Sequence, residues 1–330
     1  MMAPSRYYWK VKIADGGRER IVSVESHDTA LHVVFLFLDG VGIGKKDPRI
    51  NPFFCAQMPT LKDLCGGDLP HTPFRNVSTD RSDLIAINAT LGVPGLPQSG
   101  TGQTAMFTGV NGAKKFGRHF GPHPPSTLRQ VIAEKNIFHQ LKSKGKTVMF
   151  ANAFPQRFFE YTDSGTRRLT VTTLSCQLAG VPLLTADDIR QNRGVSADFV
   201  RTHWPELGHP DIAPVTPRTA GRHLADLAAS NHFTLFEYWL TDHAGHSQKM
   251  AFAVEVLEQF DEFLTGFLEA CILDQTLILI SSDHGNIEDL STKSHTRNRV
   301  PGIVIGRNRH HMVRRIKNLT HITPAIVNLF

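Results

Sequence analysis

Apolar runs along this chain alternate with stretches whose apolar residues recur at helical spacing. The runs predict buried β-strands at 33–38, 147–151, 234–240, 276–281 and 302–305. The helical stretches extend over Ser126 to Lys144, Pro217 to Ala229 and Gln248 to Cys271. Thr323-Pro324 is typical of the cap and first residue of a last helix. Strands that alternate with helices predict an α/β fold, with a mostly parallel central sheet and helices on both faces.

Three segments depart from this alternation. Residues 1–30 contain alternating apolar positions on both sides of Asp15-Gly16-Gly17, which predicts an N-terminal β-hairpin over 7–25. Residues 154–216 are rich in Pro, Gly, Arg and Asp and have no long periodic segment, which predicts a small cap or loop insertion over the site. Residues 66–83 are predicted to form a surface loop. The rest of 31–330 is then expected to form one large domain.

The composition is that of an ordinary globular protein. Of the 330 residues, 41% are hydrophobic and 20% are charged. No apolar run reaches the roughly 18 residues of a transmembrane helix, so no membrane partner is expected. The N-terminus lacks the apolar core of a signal peptide, which favours a cytoplasmic protein. The four cysteines form no Cys-x-x-Cys pair and are expected to be free thiols.

The net charge of +6 is modest, and one stretch, Arg307 to Lys317, is densely basic. No aromatic residues interleave with these cations, so the stretch favours a solvated surface over a nucleic-acid site. We therefore expect no nucleic-acid partner. A generally positive field would still attract an anionic substrate. No feature of the sequence indicates an oligomeric state.

Aspartates follow three of the predicted strands. Asp39 closes the run Val33 to Leu38, Asp242 follows the run that ends near Thr241, and Asp283 follows the run 276–281. Binding sites in open α/β sheets lie beyond the carboxyl ends of the strands, so these three side chains are expected at one site. A single aspartate at such a position is usually a cap or turn residue, but three together are harder to explain in that way.

Histidines accompany these aspartates. His246 lies four residues after Asp242, so a helical turn would place both on one face. His284 follows Asp283 directly, and His295 lies twelve residues after Asp283. These residues could bind one ion together or two adjacent ions. The mixed oxygen and nitrogen donors suit divalent metals such as Mn²⁺ or Zn²⁺.

Glycine and hydroxyl residues crowd together between Leu96 and Gly109. A helix that begins near Thr101 would point free backbone N–H groups at a bound anion. A Ser99 or Thr101 hydroxyl in contact with a metal would become more acidic and could attack phosphorus. The segment lacks Gly-Lys-Ser/Thr and is therefore not a Walker-type loop.

Five motifs occur here in an order that resembles the alkaline phosphatase superfamily. They are Asp39-Gly-Val-Gly, Gln98-Ser99-Gly-Thr-Gly, Asp242-x-x-x-His246, Ser282-Asp283-His284-Gly-Asn-Ile-Glu288 and His295-Thr-Arg-Asn-x-Val-Pro301. The branch that they resemble is cofactor-independent phosphoglycerate mutase and phosphopentomutase. The resemblance covers about residues 31 to 153 and 217 to 330.

The resemblance implies two divalent ions side by side in an alkaline-phosphatase-like domain over 31–330. Asp242, His246 and His295 would hold one ion. Asp39, Asp283 and His284 would hold the other. Ser99 occupies the place of the nucleophile that becomes transiently phosphorylated, and the substrate would be a small phosphate ester.

The chain also departs from the mutases. They carry a large substrate-clamping domain between the nucleophile and the Asp-x-x-x-His segment, whereas here only about 60 residues of that interval remain for a cap. A small cap admits water, which favours a phosphatase or phosphodiesterase. A phosphoglycerate or phosphopentose mutase is the alternative, and a non-catalytic metal-binding protein of the same fold is a second alternative. Gln98 and Gln103 replace the Asn and His that are typical of the mutase motif, which loosens the assignment of substrate.

Four further side chains are candidates for contact with substrate. Arg118 and His119 lie in Gly117-Arg-His-Phe-Gly-Pro-His123, and Arg157 follows the predicted strand 147–151. An arginine at such a site makes bidentate contacts with phosphate. Asn51, within Arg49-Ile-Asn-Pro, follows the first motif. Each of these residues has a surface, packing or turn role as its alternative.

Overall fold

The structure is a computed structural model that describes residues 8–15, 18–25, 31–165 and 168–330. The predicted turn residues Gly16 and Gly17, the ends 1–7 and 26–30 of the predicted hairpin segment, and residues 166–167 of the predicted cap lie outside the described residues. The chain divides into two compact units, Met1–Leu31 and His32–Phe330. In the first unit, strands β1 (Tyr8–Asp15) and β2 (Arg18–Glu25) pair in antiparallel register.

The second unit contains a seven-stranded mixed sheet and a separate two-stranded one. Its strands are β3 (His32–Leu38), β4 (Val77–Ser78), β5 (Ser82–Ile87), β6 (Val148–Phe150), β7 (Asn152–Ala153), β8 (Val195–Ser196), β9 (Phe233–Tyr238), β10 (Thr276–Ser281) and β11 (Val300–Gly306). The large sheet has the order β4-β5-β11-β10-β3-β9-β6, and β7 pairs with β8. β10, β3, β9 and β6 are parallel neighbours. β11 runs against β10, and β4 runs against β5. Most strands therefore run in one direction, as predicted.

Helices follow or separate most of these strands. They are α1 (Pro59–Leu64), α2 (Ser99–Thr108), α3 (Gly112–Phe116), α4 (Arg129–Lys135), α5 (Ile137–Ser143), α6 (Gln156–Asp163), α7 (Val171–Ala179), α8 (Ala186–Arg190), α9 (Pro217–Ala229), α10 (Leu240–Ser247), α11 (Met250–Ala270), α12 (Arg309–Val313) and α13 (Ile322–Val327). Short 3-10 turns lie at Pro52–Phe54, Ser126–Leu128 and Leu319–His321. Within the described part of the chain, no helix combines the length and apolarity that a bilayer crossing requires.

Both faces of the large sheet are covered by helices. Strand β3 shows this, because its successive side chains point to opposite faces of the sheet. On β3, Val34 and Leu36 join the hydrophobic core that includes residues of α9 and α11. The alternate side chains Phe35 and Phe37 contact Phe107 of α2, with ring centroids 5.8 and 5.4 Å apart. The apolar runs in the sequence are continuous because both faces of these strands are buried.

The prediction of a single helix over Ser126 to Lys144 is wrong. The segment is helical, but it contains a 3-10 turn and two separate helices, α4 and α5. The break falls at Asn136, which has an extended backbone. Its side chain donates to Ile132 O at 2.7 Å and accepts from His139 N at 2.9 Å. One amide thus closes α4 and caps α5, because asparagine competes with the helix for backbone hydrogen bonds.

The predicted surface loop 66–83 is also wrong at its end, where β4 and the start of β5 lie. Strand β5 begins with Ser82 and Asp83, and these polar residues are the reason that the sequence pattern did not predict a strand here. Both residues are nevertheless buried. Asp83 accepts from Ser78 at 2.6 Å and lies 2.7 Å from the imidazole of His310. The Ser78 hydroxyl satisfies Asp83 Oδ1, and the Ser82 hydroxyl donates to Leu64 O, so both polar residues have a partner at the start of this buried strand.

The last helix, α13, begins at Ile322 with His321 as its cap, not at the predicted Thr323-Pro324. Thr323 is fully buried, and its hydroxyl donates to Met106 O on α2 at 2.7 Å. The hydroxyl therefore ties two helices together instead of capping one.

Three aspartates lie at one edge of the large sheet. Asp39 directly follows β3, Asp283 lies two residues beyond the end of β10, and Asp242 is in the first turn of α10 after β9. β9, β3 and β10 are adjacent and parallel, so their carboxyl ends meet at the same edge.

Glu237 is a buried carboxylic acid on β9. It accepts a hydrogen bond from the Thr172 hydroxyl on α7, and Asn152 donates to its backbone carbonyl at 2.7 Å. Burial raises its pKa to about 7, the Thr172 hydroxyl opposes that rise, and the negative charge of Asp283 adds to it.

Truncation of Phe107, which is 1% exposed, is expected to lower the free energy of unfolding by about 3 to 5 kcal/mol, because it opens a cavity between α2 and β3. Ile272, at 58% exposure, provides a matched control. Ile272→Ala is expected to change stability by less than about 0.5 kcal/mol. Urea unfolding of both variants would measure the difference, and equal losses would contradict this account of the core.

The raised pKa of Glu237 predicts a pH-dependent stability. An unfolded chain would titrate this group near 4.5, so between pH 4.5 and about 7 the native state retains a proton that the unfolded state has released. Stability therefore falls as the pH rises, by about 2 to 3 kcal/mol between pH 5 and pH 8. Glu237→Gln should remove this part of the slope. Urea unfolding of the chelator-treated proteins at both pH values measures it, and the same slope in both proteins would contradict the assignment.

Candidate metal centre

Asp39, Asp283 and His284 form the more deeply buried of two clusters. Their ligand atoms all lie within 4.8 Å of one another. His284 Nε2 is 3.3 Å from Asp39 Oδ1 and 3.6 Å from Asp283 Oδ2. Asp283 and His284 lie two and three residues beyond the end of β10, and both are fully buried. The three side chains converge on one point.

Asp242, His246 and His295 form the second cluster, with ligand atoms again within 4.8 Å of one another. His246 Nε2 is 3.2 Å from Asp242 Oδ2, because α10 places residues four apart on one face. His295 Nε2 is 3.6 Å from Asp242 Oδ1. The side chain of His246 is 43% exposed, so this cluster is open to solvent on one side.

Backbone carbonyls fix the orientation of both histidines in the second cluster. His246 Nδ1 lies 2.8 Å from Lys293 O, and His295 Nδ1 lies 2.8 Å from Pro97 O. Each Nδ1–H therefore donates to a carbonyl, which leaves each Nε2 with its lone pair. The two Nε2 atoms face each other at 3.2 Å. Metal-binding histidines are commonly held in this way, through a hydrogen bond from the other ring nitrogen.

The two clusters are adjacent. The imidazole rings of His284 and His295, one from each cluster, stack with centroids 3.8 Å apart and planes 14° apart. The structure therefore contains two neighbouring candidate metal sites, each formed by three of these six residues.

Electrostatics at this edge is unfavourable without a further positive charge. Burial raises the pKa of Asp39 well above its usual range, and the charges of Asp283 and Asp242 raise it further. Burial also raises the pKa of Asp283. Burial would lower the pKa of His284, but the facing carboxylates raise it to about 10. Burial and the charge of His284 lower the pKa of His295 to about 4. These carboxylates therefore favour the binding of a cation, because the neighbouring side chains do not provide enough positive charge.

Two buried oxygen atoms test whether the residues fit metal ions. Asp39 Oδ1 and Asp283 Oδ2 are inaccessible to solvent and accept no hydrogen bond from the described residues. Buried polar atoms are normally satisfied, and an exception calls for an explanation such as an ion. The two oxygens also belong to the first cluster, together with an imidazole nitrogen. Carboxylate and imidazole donors suit divalent ions, so the residues fit the expected group.

Ser99 is the first residue of α2 and lies against the buried cluster. Its Oγ is 2.9 Å from His284 Nε2, and the residue is 6% exposed. Gln98, the cap residue, makes no side-chain hydrogen bond to the helix N-terminus. Gly100 lets the backbone of the 120–123 loop pack on this turn, since a Cβ there would lie 2.3 Å from His123 O. The helix therefore begins beside the candidate metal sites, with the Ser99 hydroxyl next to His284.

Thr101 and Asn51 are brought near these segments but make structural contacts. The Thr101 hydroxyl accepts from Phe120 N at 3.1 Å and contacts Gln98 O at 3.3 Å, so it joins α2 to the adjacent loop. The Asn51 side chain donates to Lys45 O at 2.8 Å and caps a 3-10 turn by accepting from Phe53 N at 3.2 Å. These contacts favour Ser99 over Thr101 as the reactive hydroxyl.

The other three candidates differ in their surroundings. His119 Nε2 lies 3.2 Å from Thr90 O, and desolvation lowers its pKa, with smaller effects from Arg297 and His284. Arg118 is exposed and lies over the Phe116 ring. Arg157 is exposed on α6. The charge of His284, a cluster residue, thus contributes to lowering the pKa of His119.

Two amides at the clusters have roles that the sequence analysis missed. Asn286 donates to Asp242 Oδ1 at 2.6 Å and to Asp242 O at 3.1 Å. Gln103 donates to Asp39 Oδ2 at 3.4 Å, one helical turn beyond Ser99. Each amide therefore orients one aspartate of a cluster. Their position in the sequence could have indicated these roles, since Gln103 lies close to Ser99 and Asn286 lies close to Asp283 and His284.

Comparison with known proteins agrees with the resemblance seen in the motifs. Residues 217–330 match the Metalloenzyme superfamily. The 2,3-bisphosphoglycerate-independent phosphoglycerate mutase of Desulforudis audaxviator is 28% identical over 123 residues, which are 34% of this chain and 24% of the mutase. The enzyme of that name from Nitratidesulfovibrio vulgaris is 32% identical over 95 residues, which are 27% of this chain and 19% of the mutase. The chain therefore matches only a quarter or less of the length of these relatives.

A solved structure extends the likeness of fold over most of the chain. The alkaline phosphatase from the Antarctic bacterium TAB5 superposes with a TM-score of 0.51 and 12% identity, over 92% of this chain and 98% of that chain. At such low identity, the likeness concerns the fold alone. Residues 217–330 thus match the Metalloenzyme superfamily, and the chain has an alkaline-phosphatase-like fold with distant sequence similarity to cofactor-independent phosphoglycerate mutases.

Proposed function

We propose that this chain is a two-metal-dependent phosphoryl-transfer enzyme that acts on a small phosphate ester through a phosphoserine at Ser99. One observation supports this above the others. A serine hydroxyl at a helix N-terminus lies 2.9 Å from a ligand atom of one candidate metal site, and a second candidate site adjoins the first. A nucleophile, two cation sites and a helix N-terminus are the parts that phosphoryl transfer requires.

Six residues would hold the ions. Asp39, Asp283 and His284 would bind one ion, and Asp242, His246 and His295 the other. The mixed oxygen and nitrogen donors suit Mn²⁺ or Zn²⁺. When bound, two divalent ions would offset the charge of the phosphoryl oxygens and lower the pKa of the Ser99 hydroxyl.

The reaction would proceed in two steps. Ser99 Oγ releases its proton to solvent and forms a bond to phosphorus, while the ester P–O bond breaks and the leaving alcohol takes up a proton. Water then attacks the phosphoserine, releases inorganic phosphate and returns a proton to Ser99. The N-terminus of α2, where Ser99 lies, would help to stabilise the negative phosphoryl group through the positive end of the helix dipole.

Hydrolysis is favoured over transfer because little chain is left to cover the site. Between Ser99 and Asp242, the segment 126–153 supplies α4, α5 and β6 to the main domain. Within the predicted cap 154–216, most of α7 (Val171–Ala179) is buried, and Val195 and Phe199 belong to the hydrophobic core. These residues cannot serve as a movable clamp. Water would reach the phosphoserine more readily than in a fully enclosed site.

A mutase is the second candidate, since the named relatives are phosphoglycerate mutases. In that case the phosphoryl group of phosphoserine would return to a different hydroxyl of the same substrate instead of passing to water. The two candidates share the residues of the site and differ in the acceptor.

Replacement of Ser99 by Ala is expected to lower turnover of an aryl phosphate by about three orders of magnitude or more, because the nucleophile is lost. Elemental analysis should find about two divalent ions per chain in the wild type and nearly the same number in the variant. Thr101→Val is the matched control, since its hydroxyl contacts backbone atoms and its loss should leave most activity. Full activity of Ser99→Ala would reject Ser99 as the nucleophile, and a folded wild type without metal would reject the two-metal site.

Incubation with 3-phosphoglycerate and with phosphopentoses would separate the two candidate activities. If water is the acceptor, inorganic phosphate should accumulate without the isomeric ester. Phosphate release by a colorimetric assay and isomer formation by ³¹P NMR can be followed in one reaction, with Ser99→Ala as the blank. Conversion to the isomer with no free phosphate would contradict hydrolysis and identify a mutase.

A further inference from the structure

Glu288 is a fully buried carboxylate with four hydrogen-bond donors. Its Oε2 accepts from Gly42 N at 2.9 Å and from Asn286 N at 2.7 Å. Its Oε1 accepts from Asn298 Nδ2 at 3.0 Å and from the Thr296 hydroxyl. No cation pairs with this carboxylate among the residues that the structure describes. Its two oxygens are instead satisfied by these four donors, two on each oxygen.

The donors come from three segments, and each segment contains a candidate metal ligand. Gly42 lies three residues after Asp39, Asn286 lies two residues after His284, and Thr296 follows His295. One carboxylate thus contacts segments that serve both clusters.

Two backbone hydrogen bonds run alongside these contacts and join the same segments. Ile287 N donates to Gly40 O at 3.0 Å, and Thr296 N donates to Gly285 O at 2.9 Å. Asn286 extends the connection to the segment of Asp242, to which its side chain donates. All the segments that carry ligands therefore meet at or beside Glu288.

Two glycines, Gly42 and Gly285, leave the space that the Glu288 carboxylate occupies. A Cβ on Gly42 would lie 2.2 Å from Glu288 Oε1, and a Cβ on Gly285 would lie 2.3 Å from the same atom. Any other residue at these two positions would push the carboxylate out of its place. The glycines and the carboxylate therefore form one structural unit.

We propose that Glu288 is a positioning residue that holds both metal clusters in register by fixing three ligand-bearing segments. The inference rests on the proposed function, because it assigns Glu288 a role in metal binding. A glutamine in its place has one acceptor atom, and its amide nitrogen would face two donors. At least one segment would then shift, and the ligands that it carries would move with it.

A buried carboxylate elsewhere in the chain provides a matched control. Asp261 on α11 is 2% exposed and accepts from Thr60 N at 3.1 Å and from Leu61 N at 2.7 Å. It fixes the start of α1, which carries none of the cluster residues. Its replacement by asparagine would therefore disturb a comparable buried contact without reaching the metal ligands.

The test measures metal affinity separately from stability. The full-length wild type, Glu288→Gln, Thr296→Val and Asp261→Asn would be stripped of metal and titrated with Mn²⁺ and Zn²⁺ in competition with a chelator. The Tm of each metal-free protein would be recorded alongside. We expect Glu288→Gln to weaken metal binding about 10- to 100-fold. Thr296→Val should weaken it by a smaller factor, and Asp261→Asn should lower the Tm at unchanged affinity.

Several outcomes would overturn the inference. Wild-type affinities in folded Glu288→Gln would do so, as would a loss of affinity no larger than that of Asp261→Asn. If Glu288→Gln does not fold, Thr296→Val decides, because it removes one donor and keeps the side-chain shape; unchanged affinity in this variant would overturn the proposal. Failure of the wild type to bind either ion would remove the proposed function itself, and the inference with it.

Discussion

Negative charge held away from water at one edge of the sheet is the constraint on which the rest of this molecule depends. Asp39 and Asp283 are buried side by side, and an isolated buried carboxylate is costly unless it is paired. His284 faces both, but it offsets only part of their charge, since burial and neighbouring charges still raise the pKa of Asp39. A divalent cation at the candidate site would supply the missing positive charge. The fold and the proposed cofactor therefore answer the same electrostatic requirement.

This constraint explains why the location of the candidate site could be predicted from the sequence. Apolar runs buried on both faces mark parallel strands, and an aspartate after such a run must lie at the carboxyl edge. β9, β3 and β10 are neighbours, so Asp242, Asp39 and Asp283 meet although they are far apart along the chain. The i, i+4 spacing on α10 then brings His246 to Asp242. The expected division of six candidate ligands between two sites came from the family resemblance, since spacing alone leaves one or two ions possible.

Other features depended on single contacts that no periodic pattern reveals. Asn136 splits a helix because one amide satisfies both helix ends, and Asp83 opens a buried strand because Ser78 and His310 meet it there. Thr101 resembles a nucleophile in sequence, but its hydroxyl accepts a hydrogen bond from Phe120 N in the adjacent loop. Glu288 showed no apolar or helical pattern, and its importance became visible when its four donors were known. These features are determined by tertiary contacts, and the periodicity of the sequence does not identify the residues that make such contacts.

The two clusters differ in exposure, and this asymmetry bears on the proposed chemistry. His284 is fully buried beside Ser99, whereas the His246 side chain is 43% exposed. Solvent therefore reaches the second cluster while the serine lies on the protein side. A phosphate ester would arrive from the open side, with its phosphorus toward Ser99 and its leaving group toward solvent, as in-line displacement requires. In the proposed reaction, water would have access along the path by which the leaving group departs. This arrangement would favour hydrolysis of the proposed phosphoserine over return of its phosphoryl group to the substrate.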